Sequence, residues 1–172
     1  MGIPESPEPH ATFVENALEK ARHAARLGQG AALADDSGLC VDALQGAPGV
    51  LSARYATLFG QDKSDASNNQ VLLEKLAQWP DASQRSARFI SILVAVRHAQ
   101  DPEPLIAMGR WNGQILTQLK GEGGFGYDPL MWIPELGKSV AELSPQEKNS
   151  HSHRAKASAQ LLQLMKDVWH LG

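Results

Sequence analysis

Phe13, Ala17, Ala21 and Ala24 recur at helical spacing, and Thr12 and Glu15 stand where a capping box ties down first-turn amides. The pattern predicts a helix from about Phe13 to Leu27, closed by Gly28 and Gly30. Before it, Pro4, Pro7 and Pro9 bias their neighbours away from helix, which predicts an extended arm over residues 1–11. Ala31 to Ala34 is a short apolar run that stops at Asp35 and Asp36, as a buried strand does when its end reaches a site. Leu39 to Leu44 reads as a second strand and Gln45-Gly46-Ala47-Pro48-Gly49 as a turn. Asp62 to Trp79 predicts a second helix, capped by Asp62 or Ser64, with Val71, Leu72, Leu76 and Trp79 facing the core and Pro80 ending it.

Arg88 to Arg97 is apolar on both faces and suits a central strand. Pro104 to Trp111 and Gln114 to Leu119 flank Asn112-Gly113, a strong hairpin signal, so three consecutive strands are expected to form an antiparallel meander. Leu130 to Ile133 is a further short strand. Ser144-Pro145-Gln146-Glu147 combines an N-cap, a first-position proline and a return carboxylate, and predicts helix to about Trp169, with Ser152 placed to cap a fresh start. Strands and helices alternate without repeats, which indicates an α/β or α+β domain.

The 172 residues correspond to one domain, and a formal charge of −3 supplies no basic field for nucleic acid or an anionic membrane. One cysteine, Cys40, cannot form an internal disulfide and is read as a small core residue. No apolar run approaches the roughly 20 residues that span a bilayer. MGIPESPEPHATF lacks the basic and apolar halves of a signal peptide, so the expected location is cytoplasmic.

Three clusters stand apart from core patterning. Asp35-Asp36-Ser37-Gly38 places adjacent carboxylates at a strand end, which suits a magnesium ligand or a general base; read alone it is more simply an ordinary Asp-rich turn. In Gly121-Glu122-Gly123-Gly124-Phe125-Gly126-Tyr127-Asp128 the glycines allow close backbone approach to a flat ligand, Phe125 or Tyr127 can stack on a base, and a carboxylate can accept from a base N–H. A structural glycine loop over buried aromatics fits that loop as well. Lys148-Asn149-Ser150-His151-Ser152-His153-Arg154 sets cations near helix termini, where they suit phosphate or a ring carbonyl, or simply a solvated helix face. His151 and His153, two apart, do not share a helix face and do not indicate a metal pair.

Together, TFVENALEKARHAA at 12–25, ALADDSGLCVDALQGAPGVLSARYA at 32–56, GEGGFGYDP at 121–129 and AELSPQEKNSHSHRAKA at 141–157 resemble the inosine triphosphate pyrophosphatase family, from about Glu8 onward. The resemblance implies an α/β fold, a mixed elongated sheet flanked by helices in two lobes around a central cleft, and usually a homodimer. It implies a single nucleotide pyrophosphatase domain over residues 1–172. The implied reaction is magnesium-dependent hydrolysis of inosine, deoxyinosine and xanthosine triphosphates to the monophosphate and pyrophosphate. Carried over by motif, Asp36 is the catalytic and metal-binding carboxylate and Glu8 a second metal ligand. Ser37, Phe125, Gly126, Tyr127, Asp128, Lys148, His153 and Arg154 are the substrate contacts. The family's opening strand and its Thr/Ser-x-Asn-x-x-Lys loop have no counterpart in MGIPESPEPHATF, so the domain is expected to be N-terminally short and to grip triphosphate less well. A nucleotide-binding protein without turnover, or a pyrophosphatase with another base preference, are the rival expectations.

Overall fold

The computed structural model describes residues 7–171. Helix α1 (Phe13–Gly28) is capped by Thr12, whose Oγ1 accepts from the Glu15 amide at 3.3 Å. Its buried stripe is Asn16, Ala17, Ala21 and Ala25. Ala24 falls beside that stripe because the spacing of four that links Ala17 to Ala21 continues to Ala25. The left-handed residue that closes α1 is Gln29, not a glycine.

Strand β1 (Ala32–Val41) departs from expectation by running unbroken through Asp35 and Asp36. The predicted second strand at Leu39 to Leu44 is the end of β1 followed by a 3₁₀ turn at Asp42–Leu44. Alternation explains how the carboxylates are tolerated: Asp35 faces outward, and Asp36 turns inward toward a cation on α1. A longer 3₁₀ stretch, Gly49–Phe59, leads to α2 (Asp65–Lys75), capped by Ser64.

Strand β2 (Ser86–Val96) is buried on both faces, as its apolar run requires. Strand β3 (Leu105–Ile115) corrects the hairpin expectation, since Asn112 and Gly113 lie inside one continuous strand and neither has the positive φ that an Asn-Gly turn needs. Gly113 serves a close approach instead: a Cβ there would lie 2.3 Å from the Trp132 carbonyl oxygen of β4 (Met131–Ile133). The sheet is completed by β5 (Lys138–Ser139), and its strand order is β1-β2-β3-β4-β5. The pairings of β3 with β4 and of β4 with β5 are antiparallel. Helix α3 (Pro145–His151) stops before Ser152, which caps α4 (His153–Trp169) through the Ala155 amide at 3.1 Å. Of the arm expected over residues 1–11, residues 1–6 lie outside the described ones, and residues 7–9 carry no regular structure.

The α/β chain forms two compact units, one of residues 1–37, 90–110 and 152–172, the other of residues 38–89 and 111–151. The first packs Ala95, Leu105 and Ala107 against Leu161 of α4, with Leu164, Met165 and Trp169 around them. The second has a core built on Leu39, Leu72, Phe89, Trp111, Ile115, Tyr127 and Met131. No helix among the described residues is long and apolar enough to cross a membrane.

Candidate active site

In the first unit, Asp36 is buried and Lys20 of α1 reaches it, Nζ to Oδ1 at 3.1 Å. The same ammonium pairs with the Glu8 carboxylate and donates to the Asp35 carbonyl at 3.1 Å. One cation thus holds two carboxylates that would otherwise repel. Asn16, one helical turn before Lys20 on the same face, fixes the backbone next to Glu8: its Oδ1 accepts from the His10 amide at 3.0 Å and its Nδ2 donates to the His10 carbonyl at 3.2 Å.

Burial holds the Asp36 carboxyl above its ordinary pKa, against the pull of Lys20. Burial lowers the Lys20 value, but the bonds and charges of Glu8 and Asp36 outweigh it, and the ammonium is held above its usual range. Ser37 donates to Asp35 Oδ2 at 3.4 Å, and Arg154 lies 3.9 Å from that oxygen with both side chains about half exposed. The preceding residue, His153, is buried.

The second unit contains the glycine loop. Gly121, Gly124 and Gly126 adopt positive φ. At Gly124 a Cβ would lie 2.1 Å from Asp128 Oδ2, so a side chain there would displace the carboxylate that organises the loop. That oxygen accepts from the Phe125 amide at 3.0 Å and from Lys148 Nζ at 2.5 Å. Lys148 also lies 4.6 Å from the centre of the Phe125 ring, which is 60% exposed. Tyr127 behaves differently: its ring is in the core and its hydroxyl donates to the Ser52 carbonyl at 2.8 Å, so of the two aromatics only Phe125 presents a face.

The Gly126 backbone is held at both ends from α2, its amide donating to Asp65 Oδ2 at 2.7 Å and its carbonyl accepting from Asn69 Nδ2 at 2.8 Å. Lys20, Asn16, Asp65 and Asn69 all escaped the sequence reading. Their only signal is polar character on two helices, with Asn16 and Asn69 turned inward and Asp65 exposed.

The carboxylate corner suits a divalent cation on its own chemistry. Asp36 Oδ2 is buried without a hydrogen-bond partner among the described residues, and Glu8 supplies a second carboxylate beside it. Magnesium binds through one or two carboxylates and keeps its remaining positions for water and substrate phosphates. The described residues hold no group of three or more His, Cys, Asp or Glu that would form an all-protein cage.

The sequence model of the Ham1 family matches residues 1–164. The chain belongs to the Ham1 family. Among curated Ham1 relatives, a dITP/XTP pyrophosphatase of Ralstonia nicotianae is 58% identical over 166 residues, covering 96% of this chain and 81% of its own length. One from Methylibium petroleiphilum is 57% identical, covering 98% and 84%. Among solved structures, a HAM1 protein from Coxiella burnetii superposes with a TM-score of 0.89 at 46% identity, over 96% of this chain and 82% of its own. A dITP/XTP pyrophosphatase from Mycobacterium abscessus gives 0.79 at 42% identity, over 96% and 81%.

Proposed function

We propose that this chain, acting as a single nucleotide pyrophosphatase domain, hydrolyses non-canonical purine nucleoside triphosphates (ITP, dITP and XTP) to the monophosphate and pyrophosphate, clearing them from the nucleotide pool. The observation that carries the reading is the Glu8–Lys20–Asp36 corner, a buried carboxylate with an open oxygen beside a second carboxylate. Names of Ham1 relatives that agree with this activity support it.

Asp36 and Glu8 would hold magnesium, which supplies charge neutralisation on the triphosphate. Asp36 also orients water and accepts its proton as the oxygen bonds to the α-phosphorus. The bond to the β-phosphate oxygen breaks, and pyrophosphate leaves with its electron pair, so no covalent enzyme intermediate is required. Lys20 opposes the effect of burial on Asp36 and so favours the ionised form that the task needs. Ser37, whose hydroxyl donates to the outward-facing Asp35 carboxylate, is a substrate contact.

On the base side, Phe125 offers an exposed ring for stacking, with Gly126, Tyr127 and Asp128 shaping its loop and Lys148 adding positive charge. His153 and Arg154 reach the purine. Arg154 donates to a 6-oxo group and would meet the adenine amino group donor to donor, which leaves buried groups unpaired and rejects adenine. We place the protein in the cytoplasm, with its substrates, and as a homodimer.

The deciding assay is pyrophosphate release from ITP, GTP and ATP with and without magnesium. Release from ITP that requires magnesium and greatly exceeds release from ATP is expected. Binding of ITP with no turnover, or release of single phosphate only, would refute the assignment.

A further inference from the structure

Along β3 the inward-facing side chains shrink in order, Leu105, Ala107, Gly109. Helix α4 lies on the same part of the strand. Leu161 of α4 packs at the Leu105 and Ala107 level, and the first turn of α4 lies over Gly109. There the contact is backbone on backbone. A Cβ at Gly109 would lie 1.7 Å from the His153 carbonyl oxygen and 2.7 Å from the Ala157 nitrogen, the acceptor and donor positions of the first helical turn. No left-handed φ occurs at Gly109, so close approach and not backbone freedom is its role.

Two side chains of α4 tie the same stretch of β3. The Met108 amide donates to Gln160 Oε1 at 2.7 Å, and Lys156 Nζ donates to the Arg110 carbonyl at 3.0 Å. These ties lie on either side of Gly109 in the strand. Sequence taper and ties together draw the N-terminal end of α4 down onto the strand. That end carries His153 and Arg154.

We propose that Gly109 is a positioning residue for base recognition: its missing side chain sets the height of the first turn of α4, and with it the reach of His153 and Arg154. The inference rests on the proposed activity for its meaning, and it assigns to a strand glycine a role in specificity. Ordinary van der Waals contact begins at 3.4 Å, so an added methyl must push the His153 carbonyl away by about 1.7 Å. Hydrogen bonds weaken steeply with lost distance and angle, so a recognition group moved by that much loses its hold on the base.

The test is Gly109→Ala in the full chain, with Lys156→Met as a companion that removes a tie without adding bulk. The crystal structure of Gly109→Ala should show the His153 carbonyl displaced by at least about 1 Å, a measurement independent of activity. KM for ITP should rise at least about tenfold with kcat within about threefold, and the ITP/ATP ratio of kcat/KM should fall. Lys156→Met should move KM in the same direction by a smaller factor. A purely structural role would lower the melting temperature and the active fraction while leaving KM and the ratio unchanged, and that result overturns the proposal. An undisplaced helix in Gly109→Ala overturns it whatever the kinetics. If Gly109→Ala does not fold, an unchanged KM in Lys156→Met overturns it. Wild-type protein that releases no pyrophosphate from ITP removes the activity itself, an outcome visible before any variant is compared.

Discussion

At the scale of single residues, Asp36 combines two properties that pull in opposite directions. Burial raises its folded pKa, so the stability tied to its protonated form is present below the unfolded value, about 3.9, and is lost as pH rises through the folded one. Removing the charge should therefore stabilise the fold near neutrality. Asp36→Asn is expected to melt above the wild type at pH 7.5 in chelator, with the gap closing below about pH 4, while pyrophosphate release drops at least about 100-fold. Calorimetry across pH together with a release assay checks both halves; a variant that melts lower at every pH would contradict the account. Arg154→Lys keeps the charge and loses the planar fork, so the preference for ITP over ATP should fall about tenfold while the fold is unaffected.

The sequence marks Asp36 by its unusual neighbour Asp35, two acids where an apolar run meets a Ser-Gly pair. It does not mark Lys20, which is an ordinary exposed-face residue in a helical pattern until the fold brings β1 against α1. Tyr127 is a similar case. Phe125 and Tyr127 are equivalent in a sequence as aromatic positions in a glycine loop, and only the core contact and the Ser52 bond separate an exposed ring from a buried one.

At the scale of elements, the helices were readable because their ends carry local chemistry. Thr12, Ser64 and Ser152 each accept a first-turn amide, which requires no knowledge of the rest of the fold. Ser152→Ala should cost about 1 kcal/mol in denaturant unfolding. The strands were harder to read. Asn112-Gly113 has turn chemistry, yet the glycine is required where β3 approaches the Trp132 carbonyl, a neighbour nineteen residues away that no local window contains. Gly113→Ala should accordingly destabilise by about 1–3 kcal/mol, as overpacking does, and a neutral result would show that β4 can yield.

Arg85 belongs to this scale too. Its buried guanidinium donates to the Leu76, Trp79 and Leu116 carbonyls at 2.9, 2.5 and 3.0 Å and so closes the chain after α2. An arginine before a strand gives no hint of that in the sequence.

For the whole molecule, the acid response should be set by carboxylates held below their usual range. Asp101 is fully buried beside Arg97, which donates to both its oxygens, and its pKa is driven well down. Glu147, accepting from the Ser144 amide and Lys138, is lowered to about 2. Depressed values contribute stability that is present above the unfolded pKa and lost as pH falls through the folded one. Asp101→Asn should be less stable than the wild type at pH 7, with the difference shrinking steadily below about pH 4 in acid titrations followed by circular dichroism.

The Lys20 ammonium has a consequence for how the protein meets its metal supply. Glu8 and Asp36 alone would make a standing chelator of charge −2; with Lys20 between them the corner carries −1. A corner of that charge holds a free divalent ion less firmly than the bare pair would, whereas a triphosphate arrives with one already bound. Turnover should therefore saturate with the magnesium–nucleotide complex and show little further dependence on free magnesium. Lys20→Met, by exposing the bare pair, should tighten the binding of magnesium in the absence of nucleotide, read by titration calorimetry against the wild type.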